Sequence, residues 1–258
     1  MRKYVGLFLS LCVLSACGGG GGDSVSQSVS INADPIRVFA DGSGAGRVVA
    51  RSGGDSTTGY ILSPELTLVL EELRRTRQLS PVDAASFRIV DTGPNTTIRA
   101  GAFTQDGVTI NVLGAITLDE DATLVLFEEP TFGDTILLSE GRQVTNMPTG
   151  GSATYSGVLG LSRFNGTPEL GTFSATASFS GNPNITLSGS TASYNVNGTA
   201  AISGGSFSSS SMTIGNGFSN TSATMNGDFH GDGANSVAGI VYSNDSSAQY
   251  RGGFVGSQ

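Results

Sequence analysis

Cysteine, histidine and tryptophan are almost absent from this chain of 258 residues, and each shortage excludes a class of chemistry. The chain has two cysteines (Cys12 and Cys17), one histidine (His230) and no tryptophan. Because both cysteines lie near the start, we expect no disulfide, thiolate metal site or redox centre in the body of the chain. We also expect no bound cofactor and assign no metal ligand.

Charge is also scarce, and its sign argues against nucleic acid as a partner. Charged residues make up 13% of the chain, and the formal net charge is −8. The one small basic cluster, Arg74, Arg75 and Arg77, is more typical of a solvated face than of an anion site. An acidic chain without a larger basic patch is not expected to bind DNA or RNA.

The few residues that could carry chemistry have simpler interpretations. His230 could form a catalytic triad with one of the many serines, but serine is too abundant here to be informative, so we favour a structural role. Asp119–Asp121 and Glu128–Glu129 could offer oxygen ligands to calcium, although solvated turns explain them as well. We therefore assign no catalytic residue and expect that the chain is not an enzyme.

The first 16 residues are typical of a lipoprotein signal peptide. Arg2 and Lys3 precede an apolar segment, Val5–Val13, which is too short to span a bilayer permanently. Leu14–Cys17 then has the form of a lipobox, in which the Cys17 thiol accepts a diacylglyceryl group. The alternative is an ordinary secretory peptide with an incidental cysteine. The sequence predicts cleavage before Cys17 and lipidation at Cys17.

Residues 17–27 have the composition of a flexible tether. Five consecutive glycines, Gly18–Gly22, follow the predicted acylation site, and such a run cannot pack as a core. Several acyl chains, each stabilised by about 0.8 kcal/mol per buried methylene, hold a protein on a membrane almost irreversibly. Because glycine rather than aspartate follows Cys17, we predict the outer membrane, on its periplasmic face or at the cell surface.

The rest of the chain divides into two parts of different composition. Residues 23–149 contain 26 charged side chains, whereas residues 150–258 contain six. Proline and glycine punctuate the change at Met147–Gly151. We therefore predict a β-rich, handle-like domain over residues 28–147 and a second domain over residues 148–258.

The second domain alternates apolar and hydroxylic residues with a period of two. Phe173–Phe179 shows the pattern most clearly, and Tyr250–Phe254 repeats it at the end of the chain. Such alternation predicts strands with one buried and one wet face. The turn dipeptides between the runs are Asn165-Gly166, Gly181-Asn182, Asn197-Gly198 and Asn216-Gly217. Seven or eight strands are expected, and closing them into a small antiparallel barrel would remove the exposed edges.

The first domain is less regular but also indicates an all-β fold class. Short strands are predicted over Val25–Ile31, Arg37–Ala40, Arg47–Arg51, Thr109–Val112 and Ala122–Phe127. Leu66, Val69, Leu70 and Leu73 have helical spacing after a Ser63-Pro64-Glu65 start signal. The segment Leu66–Leu70 fits a strand equally well, so both interpretations stay open.

Residues 147–258 resemble the barrel domain of the transferrin-binding protein B family of bacterial surface lipoproteins. The resemblance rests on Met147–Gly157, Thr176–Phe179, Met225–Gly231, Val237–Ile240 and Gly252–Gly256. It implies an eight-stranded barrel preceded by a β-rich handle domain at the outer membrane. It also implies the binding of host iron proteins, haem proteins or complement regulators, but no ligand residue of the family can be placed on this sequence.

Together these features predict an outer-membrane-anchored lipoprotein that acts as a binding or interaction module. The expected ligand is a host or environmental iron, haem or other protein, and the lipid anchor makes the membrane itself a partner. The alternative is a purely structural envelope lipoprotein without a small ligand. The predicted fold does not distinguish the two, because fold does not imply function.

Overall fold

The computed structural model describes residues 44–52, 55–62, 88–105, 108–129, 134–163, 166–245 and 250–258. These residues form 15 β-strands in two sheets, a seven-stranded open sheet and a closed eight-stranded barrel. All paired strands of both sheets are antiparallel. The predicted all-β fold class, with a C-terminal barrel preceded by a further β-sheet, is confirmed.

The open sheet contains the first seven strands, in the spatial order β2-β1-β7-β6-β5-β4-β3. Three sequence-predicted strands are confirmed, because Arg47–Arg51, Thr109–Val112 and Ala122–Phe127 lie within β1, β5 and β6. The bounds are β1 Gly44–Ser52, β2 Asp55–Leu62, β3 Arg88–Gly93, β4 Thr96–Gln105, β5 Val108–Thr117, β6 Ala122–Glu129 and β7 Asp134–Arg142.

The barrel is a meander in which each strand pairs with its sequence neighbour, and the last strand pairs with the first. Nine residues separate its first strand from the end of β7, and the loops between its strands contain two to six residues. The bounds are β8 Ser152–Arg163, β9 Glu169–Ser178, β10 Asn184–Ser190, β11 Asn195–Ser203, β12 Ser206–Gly215, β13 Asn220–His230, β14 Ser236–Ser243 and β15 Tyr250–Ser257.

Aromatic rings fill the barrel. Phe229 packs against Tyr155, Phe179 and Phe207, with ring centroids 5.2–5.9 Å apart in tilted or edge-on geometry. Such rings combine a large buried apolar area with favourable quadrupole contacts. The apolar positions of the alternating runs all belong to this core, namely Phe173, Phe179, Leu187, Met225 and Phe229. Their predicted inward orientation is confirmed.

Glycines on the inner wall make room for these rings. A Cβ atom at Gly239 would lie 2.6 Å from Cζ of Phe254, and one at Gly256 would lie 2.9 Å from Cζ of Phe173. These separations are well inside van der Waals contact, so no larger residue fits without displacing a ring. The strand glycines therefore allow a small barrel to enclose several phenylalanines.

One predicted turn is wrong. Asn197 and Gly198 lie inside β11, where the pairing with β12 shifts register between Asn197 and Ala201. A glycine at a β-bulge looks in the sequence like the glycine of a hairpin turn. The turn between these strands is instead at Gly204, which has a φ of 59°. The predicted turns at Gly181-Asn182 and Asn216-Gly217 are confirmed, and Asn165 lies outside the described residues.

The expectation of a wet face for the last strand is also wrong. Every residue of β15 is buried, and β14 has only Tyr242 partly exposed. The reason is that the open sheet packs on the outer wall of β8, β14 and β15. The contact, here called the seam, is an apolar cluster that includes Leu124, Leu126 and Leu137 of the sheet with Val158, Ala238, Ile240 and Val255 of the barrel.

Several sequence predictions concern residues that the structure does not describe. They are the signal peptide, Cys17 and its tether, the strands at Val25–Ile31 and Arg37–Ala40, and the ambiguous segment Leu66–Leu73. Within the described residues, no helix is long and apolar enough to cross a membrane.

Candidate functional site

The acidic turn predicted at Asp119–Asp121 connects β5 to β6 and closes one end of the seam. The Asp119 carboxylate accepts hydrogen bonds from the Thr117 hydroxyl at 2.5 Å and from the buried Ser236 hydroxyl of β14 at 2.8 and 3.0 Å. Asp119 and Glu120 are exposed, so the interpretation as a solvated turn between two strands is confirmed, and Asp119 in addition attaches the sheet to the barrel. In the described chain, no group of three or more His, Cys, Asp or Glu side chains could hold a metal ion.

His230 lies at the same end of the seam and is buried. Its Nδ1 is 3.1 Å from the carbonyl oxygen of Arg142, and its backbone forms a β-bridge with Gln143. Gly141 packs so closely on the ring that an added Cβ would overlap it. These contacts give His230 a structural part in fixing the end of β7 to the end of β13.

The linker between the two sheets is held by one barrel carboxylate. Asp232 accepts hydrogen bonds from the side chain of Asn146 at 2.8 Å and from the Thr145 hydroxyl at 3.0 Å. The bond from Asn146, followed by that from Thr145, lowers the pKa of Asp232 because both donors favour the ionised form. The linker is therefore bonded to the barrel rather than loose.

Glu140 of β7 is a buried carboxyl group without a hydrogen-bond partner. It is 1% exposed, and neither carboxylate oxygen has a partner. Its cross-strand neighbour Thr123 is also buried, and the Thr123 hydroxyl is likewise unpartnered. Desolvation raises the pKa of Glu140 from 4.5 to about 8, so the group is mostly protonated at neutral pH.

A cleft opens on the outer wall of the barrel. It has a volume of about 510 Å³, which lies within the usual range for small-ligand sites. Its walls are the ends of β11, β12 and β13 with the loop between the last two. The lining residues are Asn195, Asn197, Thr213, Gly215, Gly217, Phe218, Ser219 and Asn220.

Phe218 projects from the rim of this cleft and is fully exposed. The loop beneath it is ordered by Asn216, whose side-chain oxygen accepts hydrogen bonds from the backbone nitrogens of Phe218 at 3.1 Å and Ser219 at 2.9 Å. These hydrogen bonds from the backbone to the Asn216 side chain explain why the chain forms a turn here. The ring is thus presented to solvent from a hydrogen-bonded turn.

Sequence reasoning assigned no site in this cleft. In the sequence, Asn216-Gly217 predicts only a turn, and the flanking Asn and Thr residues are typical of the wet face of a sheet. The cleft exists because the β12–β13 loop stands beside Asn195 and Asn197, which pair with Gly215 and Thr213 across the strands. Only strand pairing brings these side chains together.

Comparisons with known proteins identify the fold. No family model matches this chain, and no curated protein matches it. Among solved structures, intact Ap-TbpB with its N and C lobes has a TM-score of 0.50 at 13% identity, over 83% of this chain and 46% of that chain. Transferrin-binding protein B of Neisseria meningitidis has a TM-score of 0.51 at 16% identity, over 83% of this chain and 43% of that chain.

A third structure matches over nearly its whole length. It is a Phe-171-Ala mutant of the vaccine antigen transferrin-binding protein B from Actinobacillus pleuropneumoniae, with a TM-score of 0.50 at 13% identity, over 82% of this chain and 98% of that chain. The present chain spans less than half the length of the two larger structures. At these identities the likeness shows a fold like that of transferrin-binding protein B.

Proposed function

We propose that this chain is a lipoprotein of the outer membrane, anchored through Cys17, that binds a protein partner. The observation that carries the proposal is the arrangement of an open sheet on a closed eight-stranded barrel, the arrangement seen in solved structures of transferrin-binding protein B. Those proteins bind transferrin, as their name states. The lipobox and glycine tether support attachment to a membrane.

The domain organisation belongs to the same proposal. Residues 1–16 would be removed as a signal peptide, and residues 17–27 would connect the lipid to the folded part. Residues 28–147 would form the handle-like domain, and residues 148–258 the barrel. The bonded linker and the apolar seam support a single rigid body that displays its loops at a distance from the membrane.

The partner we propose is a host or environmental iron, haem or other protein, and the protein itself would not be an enzyme. Barrel loops of two to six residues give a compact contact surface, so transferrin itself is not specifically proposed. The only histidine is buried in the seam and bonded to backbone, where it cannot contact a substrate. A binding role therefore suits these residues better than catalysis.

The test is affinity capture with the lipidated full chain in detergent, carrying a tag inserted after Gly22. The bait is offered to host fluids and to a panel of iron and haem proteins, and captured proteins are identified by mass spectrometry. The matched control is an unrelated lipoprotein with the same signal peptide, tether and tag.

We expect one extracellular protein to be enriched on the bait and not on the control. Capture of only envelope proteins from the producing cell would contradict the proposal and favour the structural alternative. Enrichment of no protein at all would refute a protein-binding role.

A further inference from the structure

The cleft beside Phe218 lies on a part of the barrel wall that the seam does not include. The open sheet covers β8, β14 and β15, whereas the cleft is formed by β11, β12 and β13. In the closed order of strands, β11 is four strands from β15 in either direction. The cleft is therefore accessible while the sheet is docked, and its chemistry is separate from the contacts that hold the fold together.

The lining of the cleft is polar but carries no charge. Among the described residues that line it, none is charged. The outward side chains of the neighbouring strands are largely hydroxyl groups, namely Thr186, Ser188, Ser190, Thr199, Ser208 and Ser210. The carboxylate of Glu169, beyond the lining, already accepts hydrogen bonds from Thr191 and Ser193. The lining itself therefore offers no charged partner to a phosphate, a carboxylate or a cation, so a ligand in the cleft must be bound by hydrogen bonds and apolar contact.

The asparagine side chains supply the hydrogen-bonding groups. Each amide offers one acceptor oxygen and two N–H donors. Asn195, Asn197 and Asn220 are exposed, and within the described chain the only side-chain bond at these amides is the one that Ser188 donates to the Asn197 oxygen at 2.8 Å. Their N–H groups are thus available, and donors beside acceptors match a ligand rich in hydroxyl groups.

Phe218 supplies the apolar contact. Its side chain is fully exposed on a hydrogen-bonded turn, so the ring is available to a ligand. The negative face of an aromatic ring attracts weakly positive C–H groups, which a pyranose ring presents on its apolar face while its hydroxyls point outward. One aromatic platform beside neutral amides is therefore complementary to a sugar ring.

We propose that this cleft is a binding site for a neutral saccharide, in which Phe218 stacks on a pyranose ring and the asparagine amides bond to its hydroxyls. The cleft volume of about 510 Å³ suits a short oligosaccharide. This site is independent of the protein partner proposed above. The saccharide could be free or part of a larger glycan, since the shared chemistry is the neutral sugar ring.

The experiment titrates the full chain in detergent with neutral hexasaccharides of glucose and of N-acetylglucosamine, read by calorimetry and saturation-transfer NMR. An acidic polyuronate and vesicles of a zwitterionic phospholipid are the comparison ligands. Phe218→Ala removes the platform, Phe218→Tyr preserves it, and Asn195→Ala removes one amide. Leu118→Ala, which removes another exposed apolar side chain in the turn between β5 and β6 of the open sheet, is the matched control.

We expect a neutral hexasaccharide to bind and the acidic polyuronate to bind no more tightly than the neutral hexasaccharide. Phe218→Ala should weaken binding of the hexasaccharide by roughly tenfold, in line with the free energy of an aromatic contact. Phe218→Tyr and Leu118→Ala should bind like the wild type. Because Phe218 is fully exposed, Phe218→Ala should unfold at the wild-type temperature, so lost binding cannot be attributed to misfolding.

Two results would overturn the proposal. One is that no neutral saccharide binds at millimolar concentration, or that binding is unchanged by Phe218→Ala. The other is that Phe218 controls adsorption to phospholipid vesicles while the saccharides do not bind, which would make the loop a lipid contact. Affinity capture of a protein partner by Phe218→Ala would leave the proposed protein-binding function intact in either case.

Discussion

Replacing Glu140 with glutamine should remove most of the pH dependence that this buried carboxyl group gives to the stability of the fold. The wild-type carboxyl is 1% exposed and unpartnered, and burial raises its pKa to about 8 from 4.5. The folded state therefore holds the proton more tightly than the unfolded state. Below about pH 4.5 this contribution is fully present, and it is lost as the pH rises towards 8.

The size of the effect follows from the shift in pKa. A difference of one pKa unit corresponds to about 1.4 kcal/mol, so the full contribution has an upper limit of about 5 kcal/mol. Between about pH 5 and about pH 7 the loss should be roughly 2–3 kcal/mol. Glutamine has the same shape but never ionises, so Glu140→Gln should match the wild type near pH 5 and be the more stable protein above pH 7.

The assay is urea unfolding of both proteins at several pH values. The free energies of unfolding are compared where both proteins show the same dependence of that free energy on urea concentration. Taking the difference between the two proteins removes the contributions of the other titrating carboxylates. Asp91→Asn, which neutralises an exposed carboxylate of β3, is the control for a surface substitution and should change the free energy of unfolding little. A difference between Glu140→Gln and wild type that does not change with pH would refute the reasoning.

Three further predictions test the anchor, the core and the seam. Cys17→Ser should abolish lipidation and deplete the protein from the outer-membrane fraction, and wild-type levels there would contradict the lipobox interpretation. Phe229→Ala should lower the free energy of unfolding by about 3–5 kcal/mol, because Phe229 contacts three other rings. In Gly253→Ala the new Cβ would overlap Leu124 and lie 2.7 Å from Cδ2 of Leu137, which should cost about 1–3 kcal/mol. Its cross-strand partner Gly160 has room for a methyl group, with nearest contacts of 3.7 and 3.9 Å, so Gly160→Ala should leave the free energy of unfolding nearly unchanged. Equal losses of stability in the two variants would contradict the close packing of the seam on Gly253.

The barrel could be predicted from local pattern because its inner wall repeats every second residue. Phe173, Ala175 and Ala177 point inward, and Ser174 and Thr176 point outward, as the alternation requires. Turn signals such as Asn216-Gly217 then separated the strands correctly. The bulge at Gly198 produces a false turn signal, because a glycine required by the close approach of Met212 cannot be distinguished in the sequence from a glycine required by a turn.

The sequence by itself determined the strand pattern and the inward face of the barrel, because each depends on neighbours along the chain, and it also predicts the lipid anchor at Cys17. Only the tertiary structure decided which strands lose their wet face. Asp119 and Ser236 are 117 residues apart, and their bond forms only when the sheet docks on the barrel. The cleft has the same origin, since Asn197 and Phe218 meet through strand pairing rather than through sequence spacing, and neither residue carries a signal of that meeting.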